Sequence, residues 1–300
     1  MTDSKPRISP FVSPLLPGKV VDSGAYQTKS FKPAYVKDKR RFDVNIPYKR
    51  VAGEAIGGSL SPTQRYERAL ATTLQDQLDN LNRREEVMAA EILRTGKVVV
   101  SGDGYPSQTV NFGRDDGLTK ALTGSNTWGS SGVKPLDHLE DWAAEIQNKA
   151  GVVAKTVVLD PDAWKLFRSN ASVEKYLDYR RGTNNTLNKD PIVRGKDSKA
   201  RYVGSIGDFD LWVYNDSYIG DDGKTTNLLP SKTVILGSKD GLEGTRCYGA
   251  IHDEKANWTA QRYFTKSWIE EDPSVRWLLL QSAPLVVPYR PNASMCVTVG

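Results

Sequence analysis

The fold is decided by residues 61–96, SPTQRYERALATTLQDQLDNLNRREEVMAAEILRTG, which carry helix signals at both ends and no breaker between them. Ser61 and Gln64 match a capping box, in which each side chain bonds the backbone N–H of the other residue, and Pro62 suits the first helical position. Gly96 can adopt the left-handed conformation that ends a helix. The pattern predicts one helix over residues 62–95, about 51 Å long at 1.5 Å per residue.

The apolar side of this helix is a stripe of large side chains spaced slightly wider than the repeat of about 3.5 residues that a two-stranded coiled coil requires. The stripe consists of Tyr66, Leu70, Leu74, Leu78, Leu81, Met88 and Ile92. We therefore expect it to lie on a sheet. The opposite side carries charges that include Arg65 and Arg68, and these either face solvent or contact neighbouring subunits.

Composition describes a soluble globular protein that is long enough for two domains. The chain has 300 residues, of which 38% are apolar and 26% are charged, and no apolar run approaches the length of a membrane span. We therefore expect no membrane association. The two cysteines and two histidines are far apart, which excludes a disulfide framework and a zinc site, so both cysteines are expected to be small buried groups. The seven tryptophans are most simply core residues.

Positive charge is concentrated at the N-terminal end. Residues 1–50 hold 11 Lys or Arg against 4 Asp or Glu, whereas the other 250 residues hold 30 against 32. Six basic residues lie between positions 29 and 41, with Asp38 as the one acid. Three interpretations stay open: an arm that reaches a less basic neighbour, plain solvation, and a nucleic-acid contact.

The order of the predicted segments indicates an α+β protein whose N-terminal region is extended. Residues 1–17 are proline-rich and aperiodic, and residues 18–56 contain strand-like pieces around a turn-prone DSGAYQTKS, which suggests a long β-hairpin excursion. Because a lone hairpin is marginally stable and this one lacks apolar alternation, we expect it to lie on another chain. Residues 124–132, GSNTWGSSG, are expected to be a flexible link. Mixed helices and strands follow, and late strands can return to the sheet under the long helix.

Motifs for catalysis or cofactor binding are absent from the sequence. No phosphate-binding loop, dinucleotide fingerprint, nucleophile elbow or zinc-binding helix is complete. Asp160 and Asp162 have the spacing of an acid pair, but Asp160 directly before Pro161 is better interpreted as a helix N-cap. We assign no catalytic residue, no cofactor and no metal ligand, and we expect a protein that is not an enzyme.

Short pieces spread along the whole chain point to a family. They are VSP at 12–14, FKPAYVK at 31–37, VLDP at 158–161 with LFRS at 166–169, RRG at 180–182, LLP at 228–230 and QSAPL at 281–285. In this order they resemble the major capsid proteins of lambda-like tailed bacteriophages, the major capsid protein E family. The resemblance implies the tailed-phage (HK-type) major capsid fold, which is shared with herpesvirus capsid floors and encapsulins.

The resemblance also implies a division of the chain. The expected parts are an N-terminal arm at 1–17, an extended β-hairpin loop at 18–56, a peripheral domain at 57–132 and 260–288 built on a spine helix at 62–95, and an axial domain at 133–259 and 289–300. Copies are expected to form the hexamers and pentamers of an icosahedral phage head that encloses double-stranded DNA. The expected location is the virion, with the host cytoplasm during assembly.

Further partners follow from the same resemblance: a decoration protein at the threefold axes, a separately encoded scaffold protein, a portal, and packaged double-stranded DNA contacted non-specifically. We expect the loop to tether one copy to another. The candidate inter-subunit contact residues are Lys29, Lys32, Tyr35, Lys37, Lys39, Arg40, Arg41, Arg65, Arg68, Arg180 and Arg181. An encapsulin-like compartment shell and a basic-arm nucleic-acid binder of another fold are the alternatives.

Overall fold

The computed structural model describes residues 34–42, 48–50, 54, 57–58, 60–102, 104–174, 199–220, 222–272 and 275–300. The chain divides into two compact units. Unit 1 is formed by the described parts of Ala90–Thr245 and Pro288–Gly300, and unit 2 by those of Ser30–Ala89 and Arg246–Val287. Within the described ranges, no helix is both long and apolar enough to cross a lipid bilayer.

Helices and strands alternate irregularly along the chain. The α-helices with both ends among the described residues are α1 (Pro62–Thr95), α2 (Pro135–Ala150) and α3 (Pro161–Arg168). The strands are β1 (Val36–Phe42), β2 (Lys97–Gly102), β3 (Tyr105–Asn111), β4 (Thr119–Ala121), β5 (Thr156–Leu159), β6 (Ala200–Ile206), β7 (Phe209–Tyr214), β8 (Ser217–Ile219), β9 (Thr225–Asn227), β10 (Thr233–Gly237), β11 (Gly244–Tyr248), β12 (Phe264–Glu270), β13 (Val275–Ser282), β14 (Pro284–Pro288) and β15 (Ser294–Thr298).

The bounds of α1 confirm the prediction made from its end signals. The Ser61 N–H donates to Gln64 Oε1 at 2.9 Å and the Gln64 N–H donates to Ser61 Oγ at 3.2 Å, which is the reciprocal capping box. At the other end the Gly96 N–H donates to the Ile92 carbonyl at 2.7 Å, with Gly96 at φ +69°.

Polar residues occupy part of the buried side of α1. Gln77, Leu81 and Glu85 are 1%, 2% and 3% exposed, at intervals of one helical turn, whereas Leu74 is 36% exposed. The predicted stripe is therefore wrong at Leu74, and it omits two polar side chains that are buried in its place.

Unit 2 contains a three-stranded antiparallel sheet in the order β1-β13-β12. Strand β1 pairs along its whole length, from Val36 opposite Ser282 to Phe42 opposite Arg276. The expectation that the extended loop lies on another chain is therefore wrong for residues 36–42, which are stabilised by β13 of their own chain. Most of the rest of the predicted loop, and the predicted arm, lie outside the described residues.

Unit 1 contains a six-stranded sheet in the order β4-β15-β10-β5-β7-β6. Helix α2 buries Leu139, Trp142 and Ile146 in its core, and the predicted hairpin of β6 and β7 is confirmed. Asp160 is the N-cap of α3, as predicted, since its carboxylate accepts the N–H groups of Asp162 and Ala163 at 3.1 and 2.9 Å.

Three expectations about single residues and loops are wrong. Residues 124–132 are not a flexible link, because Trp128 is 2% exposed and its ring lies 6.0 Å from that of Trp142 and 5.5 Å from that of Phe167. Cys247 is exposed, although Cys296 is buried as expected. Trp258 and Trp268 are exposed rather than core residues.

The division into peripheral and axial domains stays a prediction, and its boundary at 132/133 falls within unit 1.

A buried arginine caps the C-terminal end of α1 within unit 1. Arg114 is 7% exposed, and its guanidinium donates to the carbonyls of Leu93 at 2.7 Å, Arg94 at 2.8 Å and Leu118 at 3.2 Å. Burial lowers the pKa of Arg114. Gly96 is required beside it, because a Cβ at that position would lie 2.5 Å from the Arg114 Cβ. The last turn of α1 thus depends on one side chain for its free carbonyls.

We predict that Arg114→Met destabilises unit 1 by roughly 3 kcal/mol, because several buried carbonyl groups lose their donor at once. Urea unfolding followed by the fluorescence of the buried tryptophans measures this loss. Arg201→Met, on the exposed part of β6, is the matched control and should change stability by no more than about 0.5 kcal/mol. Equal effects of the two substitutions would contradict the assignment of Arg114 as the cap.

Candidate functional site

The sheet of unit 2 has two faces of different character, set by the alternation of side chains along each strand. Along β1, Lys37, Lys39 and Arg41 are exposed, whereas Val36, Asp38 and Arg40 are half-buried and Phe42 is buried. The three exposed cations therefore share one face of the sheet.

The opposite, inner face of the sheet lies against α1. The Phe42 ring contacts the Tyr66 ring edge-on at 5.0 Å, and the Arg276 guanidinium lies 5.6 Å from the centre of the same ring. Gln77 Nε2 donates to the Asp38 carbonyl at 2.9 Å. The expectation that one side of the long helix lies on a sheet is confirmed within unit 2.

Three rungs of residues form the outer face, as the strand register shows. Arg41 is opposite Trp277, which is opposite Trp268; the next rung on the same face is Lys39, Leu279 and Lys266, followed by Lys37, Gln281 and Phe264. We define the basic–aromatic face as Lys37, Lys39, Arg41, Lys266, Trp268 and Trp277.

The centre of the basic–aromatic face is Lys39. Its ammonium lies 4.0 Å from the centre of the Trp277 ring and 5.4 Å from that of Trp268. Trp277 in turn donates from Nε1 to Glu270 Oε2 at 2.7 Å. Cation–π contacts of this kind hold a lysine over aromatic surface while its charge stays accessible to a partner. The face therefore presents ordered aromatic surface and excess positive charge together.

A polar network at one end of the sheet fixes the neighbouring loop. The Tyr35 hydroxyl donates to Gln281 Oε1 at 3.0 Å and accepts the His252 N–H at 2.9 Å. Gln281 is 1% exposed, and its Nε2 donates to Asp253 Oδ2 at 2.9 Å. Lys266 also donates to Asp253. The hydrogen bonds from Lys266 and Gln281 lower the pKa of Asp253.

A second polar cluster surrounds Glu85 on α1. Its Oε1 accepts the Tyr248 hydroxyl at 3.0 Å, and its Oε2 lies 3.2 Å from Arg246 Nη1. Burial, followed by the hydrogen bond to Glu85, raises the pKa of Tyr248. The buried carboxylate fixes these two side chains of β11 against the helix.

The predicted contact residues have different surroundings in the structure. Tyr35, Lys37, Lys39 and Arg41 lie together at or beside the basic–aromatic face. Arg40 instead pairs with Asp38 at 3.2 Å and Asp76 at 3.6 Å, and Arg65 pairs with Glu54 at 2.8 Å. Arg68 is exposed on α1. The remaining four, Lys29, Lys32, Arg180 and Arg181, lie outside the described residues.

Lys266, Trp268 and Trp277 could not be grouped from the sequence pattern, because β12 was not predicted. A signal was present: residues 268–277, WIEEDPSVRW, place a turn-forming EEDPS between two runs that each carry an aromatic residue. Within the described ranges, no three His, Cys, Asp or Glu side chains come together as a metal site.

Comparison with known proteins gives one consistent result. Residues 2–299 match the family described as phage major capsid protein E. The major capsid proteins of Enterobacteria phage phi80 and Escherichia phage lambda are 32% and 30% identical over 294 residues, covering 97% of this chain and 85% of each relative. The solved structure of a putative capsid protein of a prophage of E. coli CFT073 covers 92% of this chain and 80% of its own, with a TM-score of 0.74 and 24% identity. The predicted tailed-phage capsid fold is confirmed.

We predict that Asp253→Asn lowers stability most above pH 4 and progressively less as the pH falls. The folded-state pKa of Asp253 is lowered from its ordinary 3.8, so the stabilisation by its carboxylate is complete above that value and is lost as pH falls through the folded pKa. Urea unfolding of both proteins between pH 6 and 2 measures the difference. Glu254→Gln, which removes an exposed carboxylate from the adjacent position, is the control. A wild-type advantage over Asp253→Asn that stays constant down to pH 2 would contradict the network.

Proposed function

The chain belongs to the phage major capsid protein E family, and we propose that its copies assemble into the hexamers and pentamers of an icosahedral head that encloses double-stranded DNA. The observation that carries this proposal is the match to the family over residues 2–299, since it includes both units and the charged front of the chain. The role is structural, without a catalytic step. The particle would form in the host cytoplasm and the protein would then be part of the virion.

The extended loop is the proposed tether between copies. Strand β1 is held by its own β13, so the loop segments on either side of it, residues 18–33 and 43–56, start from a fixed strand. We propose that they cross to unit 2 of a neighbouring copy. Exposed ion pairs contribute only about 0 to 1 kcal/mol each, so the strength of the shell comes from repetition of the contact around closed rings.

Charge indicates which part of the neighbour the loop contacts. Residues 18–33 contain Lys19, Lys29 and Lys32 against Asp22, so contact with the basic–aromatic face of another copy would be repulsive. The turn between β12 and β13 instead carries exposed Glu271 and Asp272. We propose that Lys29 and Lys32 approach this acidic turn.

The basic–aromatic face is then available to a partner of opposite charge. Tryptophan and arginine, the residue types of Trp268, Trp277 and Arg41, are enriched in protein interfaces, and the lysines of the face supply charge that attracts a partner of opposite sign. We propose that it receives the decoration protein at the threefold axes, through an acidic segment of that protein. A separately encoded scaffold and a portal complete the set of assembly partners, and packaged DNA is contacted without sequence preference.

The first prediction from this proposal concerns assembly itself. The chain expressed with the scaffold protein of its phage should give closed shells of uniform size, visible by negative-stain electron microscopy and sedimenting far ahead of the free subunit. Shells that form around a protein cargo and never package DNA would favour the encapsulin-like alternative. A small species whose affinity for DNA falls steeply with salt would favour the nucleic-acid binder instead.

The second prediction is a charge exchange across the proposed tether. Lys29→Glu with Lys32→Glu should raise the free subunit concentration in equilibrium with shells about tenfold, which corresponds to about 1.4 kcal/mol per contact. Glu271→Lys with Asp272→Lys should have a similar effect, because the same ion pairs are lost. The variant with all four changes restores opposite charges and should assemble like the wild type. Failure of the fourfold variant to recover would place the contact elsewhere.

A further inference from the structure

An unusual backbone conformation occurs in the loop between β11 and β12. Asn257 and Trp258 are consecutive, and their φ values are +51° and +50°. Among the described residues other than glycine, only Lys232 shares this left-handed conformation. Asparagine adopts it readily, whereas a bulky residue such as tryptophan does so only when the surrounding structure enforces it.

The surrounding loop does enforce it. The Ile251 N–H donates to the Thr259 carbonyl at 3.0 Å and closes the loop, and the Ile251 side chain is 0% exposed. Inside the loop, the Asn257 N–H donates to the Glu254 carbonyl at 2.9 Å and the Trp258 N–H to the Asp253 carbonyl at 3.4 Å. The Asp253 side chain ties the loop to β12 and β13 through Lys266 and Gln281.

This rigid loop exposes its largest side chain. Trp258 is 62% exposed, so its ring contributes little apolar burial to the stability of the subunit. Its backbone is nevertheless held in a strained conformation. Strain of this kind is concentrated at functional positions. An exposed tryptophan that is already fixed in place also loses little conformational freedom on binding, which favours its use as an interface anchor.

The charges next to Trp258 do not suit a nucleic acid. Within the closed segment 251–259, Asp253 and Glu254 outnumber Lys255, so phosphate groups would meet no excess of positive charge there. A protein surface is the better partner. Every copy of a shell displays the same tryptophan to an equivalent neighbour, so a single anchor of this kind is repeated at each heterologous contact.

We infer that Trp258 is an anchor that is buried against a second copy of this chain when the shell assembles. This inference rests on the proposed shell function and adds to it a specific contact residue that carries no charge. It is independent of the charge exchange proposed for the loop, because the strained backbone and the exposed ring are its evidence.

Hydroxyl-radical footprinting with mass spectrometry measures the burial directly. The oxidation rate of Trp258 should fall about tenfold between dissociated subunits and purified shells made of this chain without any decoration protein. An unchanged rate in closed shells would overturn the inference and leave the proposed function intact. Protection that appears only after a decoration protein is added would also overturn it. If no closed shells form at all, the proposed function and the inference fail together.

Substitutions separate an interface role from a structural one. Trp258→Gly should leave the thermal stability of the dissociated subunit unchanged or raise it, because glycine adopts this φ without strain. The same change should raise the free subunit concentration in equilibrium with shells about tenfold, while Trp258→Phe, the matched control, should recover most of the loss. A Trp258→Gly variant that loses subunit stability, or that assembles like the wild type, would contradict the inference.

Discussion

The fold of unit 2 depends on the need to satisfy polar groups that are buried on one side of a very long helix. A carboxylate or amide that is shielded from water is costly unless it has hydrogen-bond partners. Gln77 finds its partner in the backbone of β1, at 2.9 Å, and Glu85 finds Tyr248 at 3.0 Å, 163 positions further along the chain. An entirely apolar stripe could pack against many different segments, because apolar contacts have no direction. The Gln77 amide and the Glu85 carboxylate require hydrogen-bond partners in specific positions. They therefore specify which distant segments lie on α1.

The exposed charged surface of unit 2 follows from this arrangement. Once the inner face of the β1-β13-β12 sheet contacts α1, strand alternation places Lys37, Lys39 and Arg41 on the outer face, beside the tryptophans of β12 and β13. The cations on the inner face, such as Arg40, are held by carboxylates of their own chain. The basic residues of β1 thus have two roles: Arg40 stabilises the subunit internally, whereas Lys37, Lys39 and Arg41 are exposed to solvent. A count of basic residues does not distinguish these roles, and therefore could not identify the basic–aromatic face.

Features with local causes could be predicted from the sequence. The bounds of α1 follow from Ser61, Gln64 and Gly96, and the start of α3 follows from Asp160 and Pro161, because caps and left-handed glycines act within one turn. Features that depend on contacts between distant parts of the chain could not be predicted in this way. Trp128 lies among small polar residues that suggest a flexible link, yet its ring is packed against Trp142 and Phe167. Glu85 interrupts an apolar pattern, and its distant partners on β11, Arg246 and Tyr248, explain its burial. Trp268 and Trp277 came together only through a strand pairing that was not predicted.

The central proposal is that the loop segment before β1, residues 18–33, is stabilised by another copy of the same chain. The most direct measurement is a cryo-electron microscopy map of assembled shells in which the chain can be traced from residue 18 through β1 to α1. Residues 18–33 should cross from β1 onto unit 2 of an adjacent copy, and this contact should repeat around every ring of the shell. A trace in which these residues fold back onto unit 2 of their own chain, without touching a neighbour, would contradict it.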